Sequence, residues 1–153
     1  MNREYVEDVL MKIGIPARVK GFKYIVDAVM LLDEEEWKCP KYTALYYSIA
    51  KMNNSTASRT ERAIRHAFGI ARSSRGDYDM AEHYIGFINC ENSNSIASLY
   101  RMIKKEITEM ENKQQEKQQK GGLLTLTEEQ LNEIVKQAIQ SVENVTLTKE
   151  KDA

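Results

Sequence analysis

This chain has little cysteine. Cys39 and Cys90 stand far apart, with no CxxC pair. That excludes a disulfide framework and leaves two free thiols of a reducing cytoplasm. No apolar run approaches the roughly 18 residues of a membrane-spanning helix. The opening residues MNREYVEDVL carry early acids where a signal peptide would be apolar. Alternation with the two-residue period of strands is missing, and so is any internal repeat. Catalytic sets are missing as well. His83 has no Cys, Asp or second His at ligand spacing, no glycine-rich phosphate loop occurs, and no Ser/His/Asp or Cys/His set is brought together. No metal, no cofactor and no enzymatic activity are therefore expected. The acidic run from Asp33 to Glu36 reads as a solvated loop or helix end. The net charge of -1 excludes a blanket polyanion binder, so any nucleic-acid affinity has to come from a local patch.

What is present is helical periodicity. Val6, Val9, Leu10 and Ile13 share one helix face, which Gly14 and Pro16 terminate. Phe22, Ile25, Val26, Val29 and Met30 make a second amphipathic helix after Gly21. Trp37, Cys39 and Pro40 lead into a third, on which Tyr42, Leu45, Tyr46 and Ile49 repeat, with Ala50 small enough for a close helix crossing. Ser73 to Asp77 is a turn by composition, and Met80 to Ile88 a short helix or irregular apolar segment. A helix starting around Ser93 to Ser95 carries Ile96, Leu99, Tyr100, Ile103, Ile107 and Met110 on one side.

The most informative segment is IAKMNNSTASRTERAIRHAFGI, from Ile49 to Ile70. Asn53 and Asn54 form a turn, because Asn tolerates left-handed backbone. Thr56 is the N-cap of the next helix, which Ala57 opens. At about 100° per residue, Thr60, Ile64, Ala67, Phe68 and Ala71 fall on one side. Arg59, Arg62, Arg65, His66 and Arg72 fall on the other, with Arg62 opposite the apolar stripe. The small and apolar positions follow helix-turn-helix spacing, except that Thr60 stands where Val or Ile is commoner. Its hydroxyl needs a partner if buried. From Lys51 to Arg75 there are six basic residues and one acid, a local charge of +5. Arg rather than Lys dominates this window, which suits bidentate contacts to phosphate and guanine. One apolar and one guanidinium-rich face is the arrangement a DNA-reading helix needs.

Three blocks make a specific match: IGIPARVKGFKYIVDAV (Ile13–Val29), NNSTASRTERAIRHAF (Asn53–Phe68), and SRGDYDM followed by Gly86-Phe87. Across roughly Glu4 to Glu106 the chain resembles the DNA-binding effector domain of the stage-zero sporulation response regulator of endospore-forming bacteria. The resemblance implies an all-α bundle of about six helices around a helix-turn-helix. It implies a sequence-specific regulator of transcription that binds double-stranded DNA as paired copies, a homodimer on DNA. Its recognition helix falls on Ala57–Ile70, which makes Ser58, Arg59, Glu61, Arg62, Arg65, His66 and Arg72 the candidate DNA-contacting residues. About four to six phosphate contacts per copy imply a salt slope near -4 to -5. The stretch after Gly76 resembles the region that touches RNA polymerase sigma factor, although Asp77, Tyr78, Met80 and His83 depart from the family pattern. The family's receiver domain has no counterpart in these residues, so the expected regulator acts without a phosphorylation switch. An alternative use of the same residues is an antagonist that pairs with the full-length regulator or occupies its sites.

The expected organisation is a helix-turn-helix domain over residues 1–110, a polar linker or helix extension over 111–126, an amphipathic tail helix over 127–145 and a disordered end over 146–153. Residues 111–120 (ENKQQEKQQK) contain no apolar side chain, and Gly121-Gly122 ends the segment. Thr127 and Gln130 form a capping box flanked by Leu126 and Leu131. Leu131, Ile134, Val135, Ala138, Ile139 and Val142 then keep one apolar face. So short a helix is marginal alone. Three uses stay open: folding back on the domain, pairing with a second copy, or binding another protein.

Overall fold

Helical periodicity becomes helix wherever the residues are described. The computed structural model describes residues 1–34, 41–73 and 77–149, with side chains except those of 120–127 and 144–149. Trp37, Cys39 and Pro40, and most of the turn expected between Ser73 and Asp77, lie outside them. Among the described residues the elements are α1 (Arg3–Lys12), α2 (Lys20–Leu32), α3 (Tyr42–Met52), α4 (Ala57–Arg72), α5 (Tyr78–Ile85) and α6 (Asn92–Lys149), all helical. The chain divides into two compact units, Met1–Thr108 and Glu109–Ala153.

The first unit is built around α2. This helix buries Phe22, Tyr24, Ile25, Val26, Ala28, Val29 and Leu32, more than half its length. Val6, Val9 and Leu10 of α1, Leu45 and Ile49 of α3, Ile64 and Phe68 of α4, and Ile96, Leu99 and Ile103 of α6 complete one core. Each such side chain contributes about 1.5–3 kcal/mol through apolar area removed from water.

Two features of α2 fix the helix-turn-helix. Gly21 is the point of closest approach to α4: a Cβ there would lie 2.1 Å from the Ala63 carbonyl oxygen and 2.7 Å from the Ala67 Cβ. Only hydrogen at position 21, with alanines opposite, lets the two backbones come so near. Six residues on, the buried carboxylate of Asp27 accepts from Arg3 at 3.0 Å and from Asn53 Nδ2 at 2.9 Å. The same Asn53 amide donates to the Ile49 carbonyl at 2.9 Å. The turn between α3 and α4 is thereby tied to α2.

The turn itself closes as a Schellman motif. Asn54 takes the left-handed position with φ 49°, and the Ser55 amide donates back to the Ala50 carbonyl at 2.8 Å. Thr56 then caps α4 by accepting from the Arg59 amide at 3.3 Å. Both Asn53-Asn54 and Thr56 perform the roles their residue types predict.

On the far side of the unit, Glu106 of α6 accepts from the Tyr5 hydroxyl at 2.8 Å and from the Tyr84 hydroxyl at 2.8 and 2.9 Å. This joins α1, α5 and α6. Burial, reinforced by the neighbouring carboxylate, pushes the Tyr5 hydroxyl up to about 12 and Tyr84 higher still. Both phenols stay protonated donors at neutral pH.

α6 extends from Asn92 to Lys149 and so takes in the residues expected to be a linker or helix extension and a tail helix. Gly121 and Gly122 each disfavour helix by only about 1 kcal/mol. The Lys, Gln and Leu residues on both sides are good helix formers.

Gly21→Ala should destabilise the domain by about 3 kcal/mol, because the clash is with backbone. Gly69→Ala, on the same helix pair but with open space around its Cβ, should instead stabilise by about 0.5–1 kcal/mol. Urea unfolding of the two variants checks both signs.

Candidate nucleic-acid interface

Helix α4 divides its side chains as the sequence periodicity requires. Thr60, Ile64, Ala67, Phe68 and Ala71 are buried. Ser58, Arg59, Arg62, Arg65 and His66 are exposed along its opposite side. The Arg59 guanidinium has no partner among the described residues. Among the described residues Arg62 Nε donates to the Ser58 carbonyl one turn back, at 3.3 Å, a contact that a stronger acceptor can displace. These side chains sit on the first two turns of the helix, whose N-terminal end also carries partial positive charge.

Two expected contacts stand differently. Glu61 is half-buried and ion-paired with Arg65 one turn on. Its backbone carbonyl accepts from Asn92 Nδ2 at 2.9 Å. Glu61 therefore reaches the surface already engaged with Arg65. Arg72, also in the expected set, is engaged within the protein. Its guanidinium turns inward, bonding the Ser95 hydroxyl and the Gly86 carbonyl and lying 5.7 Å from the centre of the Phe68 ring. It ties the end of α4 to the start of α6. The wheel explains both cases. Glu61 and Arg72 lie about 75° and 95° from the centre of the apolar stripe, at its margin, where the Gly86–Ser95 segment packs.

Beside α4 lies an open polar groove of about 510 Å³, lined by Tyr42, Thr43 and Tyr46 of α3, Glu61 and Arg65 of α4, and residues 90–93. Burial first, and then the charge of Glu61, pushes the Tyr46 hydroxyl up to about 12. Tyr46 is therefore a neutral hydrogen-bonding group on the groove wall. Thr43, exposed in the first turn of α3, and Tyr46 line this groove, and the sequence singles out neither for a ligand. The apolar repeat of α3 marks Tyr46 as core, and a lone Thr at a helix start carries no signal of a ligand.

Thr60 behaves as its chemistry warns. It is 0% exposed and its Oγ1 has no hydrogen-bond partner among the described residues.

A tight Asn-Asn turn, a capped second helix held on its apolar side, and an arginine-rich side left to solvent define a helix-turn-helix DNA-binding domain. Residues 6–107 match the family model described as Sporulation initiation factor Spo0A C terminal. The match covers two thirds of the chain, and the chain belongs to that family. It is a DNA-binding effector domain of the sporulation-regulator type, from a family of DNA-binding domains rather than of enzymes. No helix among the described residues is long and apolar enough to cross a membrane.

Thr60→Val should raise unfolding free energy by about 1–3 kcal/mol, since it removes a buried hydroxyl without a partner. It should leave the solvent-facing side of α4 unchanged. Thermal and urea unfolding measure the gain, and an unchanged or lowered midpoint would mean that the hydroxyl is satisfied.

Proposed function

We propose that this chain regulates transcription by binding specific duplex sites as paired copies, with the N-terminal half of α4 in the major groove. The observation that carries the reading is the exposure of Arg59 and Arg62 on a helix whose other side is locked by Ile64 and Phe68. Arg59 and Arg62 are assigned to guanine O6/N7 edges, where each bidentate contact is worth about 1–3 kcal/mol of discrimination. Arg65, His66 and Ser58 are assigned to backbone positioning. Glu61 is the candidate acceptor for a cytosine amine. Arg72 is left out of the interface as a residue that braces α4.

The reading uses no phosphoryl switch, and it places the protein in the compartment that holds the DNA. Tyr78 and Ile88 stay exposed, Ile88 at 93%. Their exposure supports a protein contact on the segment after Gly76, for which the family resemblance names RNA polymerase sigma factor.

The test begins with duplex sites selected from random sequence by the purified protein. Arg59→Ala and Arg62→Ala should each lower affinity for the selected site about 5- to 150-fold and relax base preference there. With Arg72 inward, about three to five phosphate contacts per copy remain, for a salt slope of about -3 to -4.5. Arg72→Ala should lower the melting temperature and leave that slope unchanged. Wild-type binding by both Arg59→Ala and Arg62→Ala would overturn the assignment.

A further inference from the structure

The positive charge of the first unit is not confined to α4. Between Asp8 and Asp27 the chain carries Lys12, Arg18, Lys20 and Lys23 and no acid, a local charge of +4 in a chain of net charge -1. All four side chains are exposed. Among the described residues none of them has an ion pair or a side-chain hydrogen bond. Cations grouped in this way repel one another, and nothing in the domain offsets that.

Packing brings three of them beside α4. Gly21, which follows Lys20, meets Ala63 and Ala67. Six residues on, Asp27 reaches Asn53 in the turn before α4. α2 therefore runs alongside α4 from Ala63 back towards its first turn. Lys20, Lys23 and Asp27 are three and four residues apart, on one side of α2, and Asp27 shows that this side faces the turn. Arg18 stands just before the helix. On the wheel of α4, Ala63 lies about 85° from the centre of the apolar stripe, at the margin opposite to Glu61 and Arg72. Arg59 is its neighbour one turn back. The cations of α2 thus continue the positive side of α4.

An α-helix with its side chains is about 10–12 Å across, and the major groove is about 12 Å wide. A helix seated there fills the groove from wall to wall. Whatever packs on its flank lies over the phosphates of one wall. We propose that Arg18, Lys20 and Lys23 grip the DNA backbone along that wall, outside the groove. The proposal rests on the reading of α4 as the groove helix. The three contacts carry no sequence information; they add affinity and fix the orientation in which α4 enters.

The salt dependence of DNA binding tests it. Contacts of α4 alone give a slope of about -3 to -4.5, and three more steepen it by about 2.7. The full chain should therefore show a slope of about -6 to -7 per copy. A variant combining Arg18→Gln, Lys20→Gln and Lys23→Gln should return to about -3 to -4.5. It should bind selected and random duplexes more weakly by the same factor, with base preference intact. Combining Lys113→Gln, Lys117→Gln and Lys136→Gln removes as much charge from the second unit and should leave the slope unchanged. Thermal unfolding reports whether each variant is folded. A wild-type slope in the first variant would overturn the proposal. An equal change in the second would overturn it as an effect of net charge alone. Altered base preference in the first would overturn it by placing these side chains in the groove. Failure of the α4 reading shows separately, as wild-type binding by Arg59→Ala and Arg62→Ala.

Discussion

The backbone of α4 lies so close on α2 that the Ala63 carbonyl oxygen would be 2.1 Å from any Cβ at position 21. The geometry of α4, the helix proposed to read DNA, depends on that approach. With hydrogen on one side and alanines on the other, α4 settles deep enough for Ile64 and Phe68 to reach the core, both at 0% exposure. A helix held this way cannot roll about its own axis without losing those contacts. Its outward side is therefore as well defined as its inward one. Arg59 and Arg62 gain position from residues that never touch them.

The same support extends to the turn. Asp27 is 3% exposed, and a carboxylate taken from water needs strong partners. Arg3 and Asn53 supply them, and Asn53 belongs to the turn that sets the angle between α3 and α4. Orientation of α4 thus rests on two contacts to α2, one apolar and steric at Gly21 and one polar at Asp27. Arg72 adds a third brace at the C-terminal end of α4, against Ser95 and Gly86. Precise contacts to base edges need such rigidity, because the discriminating hydrogen bonds tolerate little displacement.

The sequence made much of this legible, and the limits have physical causes. Residues near the centre or the antipode of the apolar stripe, such as Phe68 and Arg62, have an environment set by helix geometry alone. The roles of Thr56 and Asn54 follow from short-range backbone chemistry, and both were readable. Residues at the margin of the stripe are decided by what packs alongside. For Glu61 and Arg72 that neighbour is Asn92 or Ser95, more than 20 residues away in the chain. The buried tie of Asp27 has the same character: its partners lie 24 and 26 residues off, and a lone Asp on an apolar helix announces neither. Whether residues 111–126 are a linker or a helix extension was left open by the sequence, because a glycine pair disfavours helix while the flanking residues favour it.

The central claim is that α2 holds α4 so that its guanidinium-rich side, and not another surface of the domain, enters the major groove. The most direct measurement is an NMR titration of the isotope-labelled protein with a selected duplex. Signals of Ser58, Arg59, Arg62, Arg65 and His66 are expected to shift most, while the Arg72 side chain and the core methyls of Ile64 stay in place. Shifts gathered on α1 or α5, with α4 silent, would contradict the account.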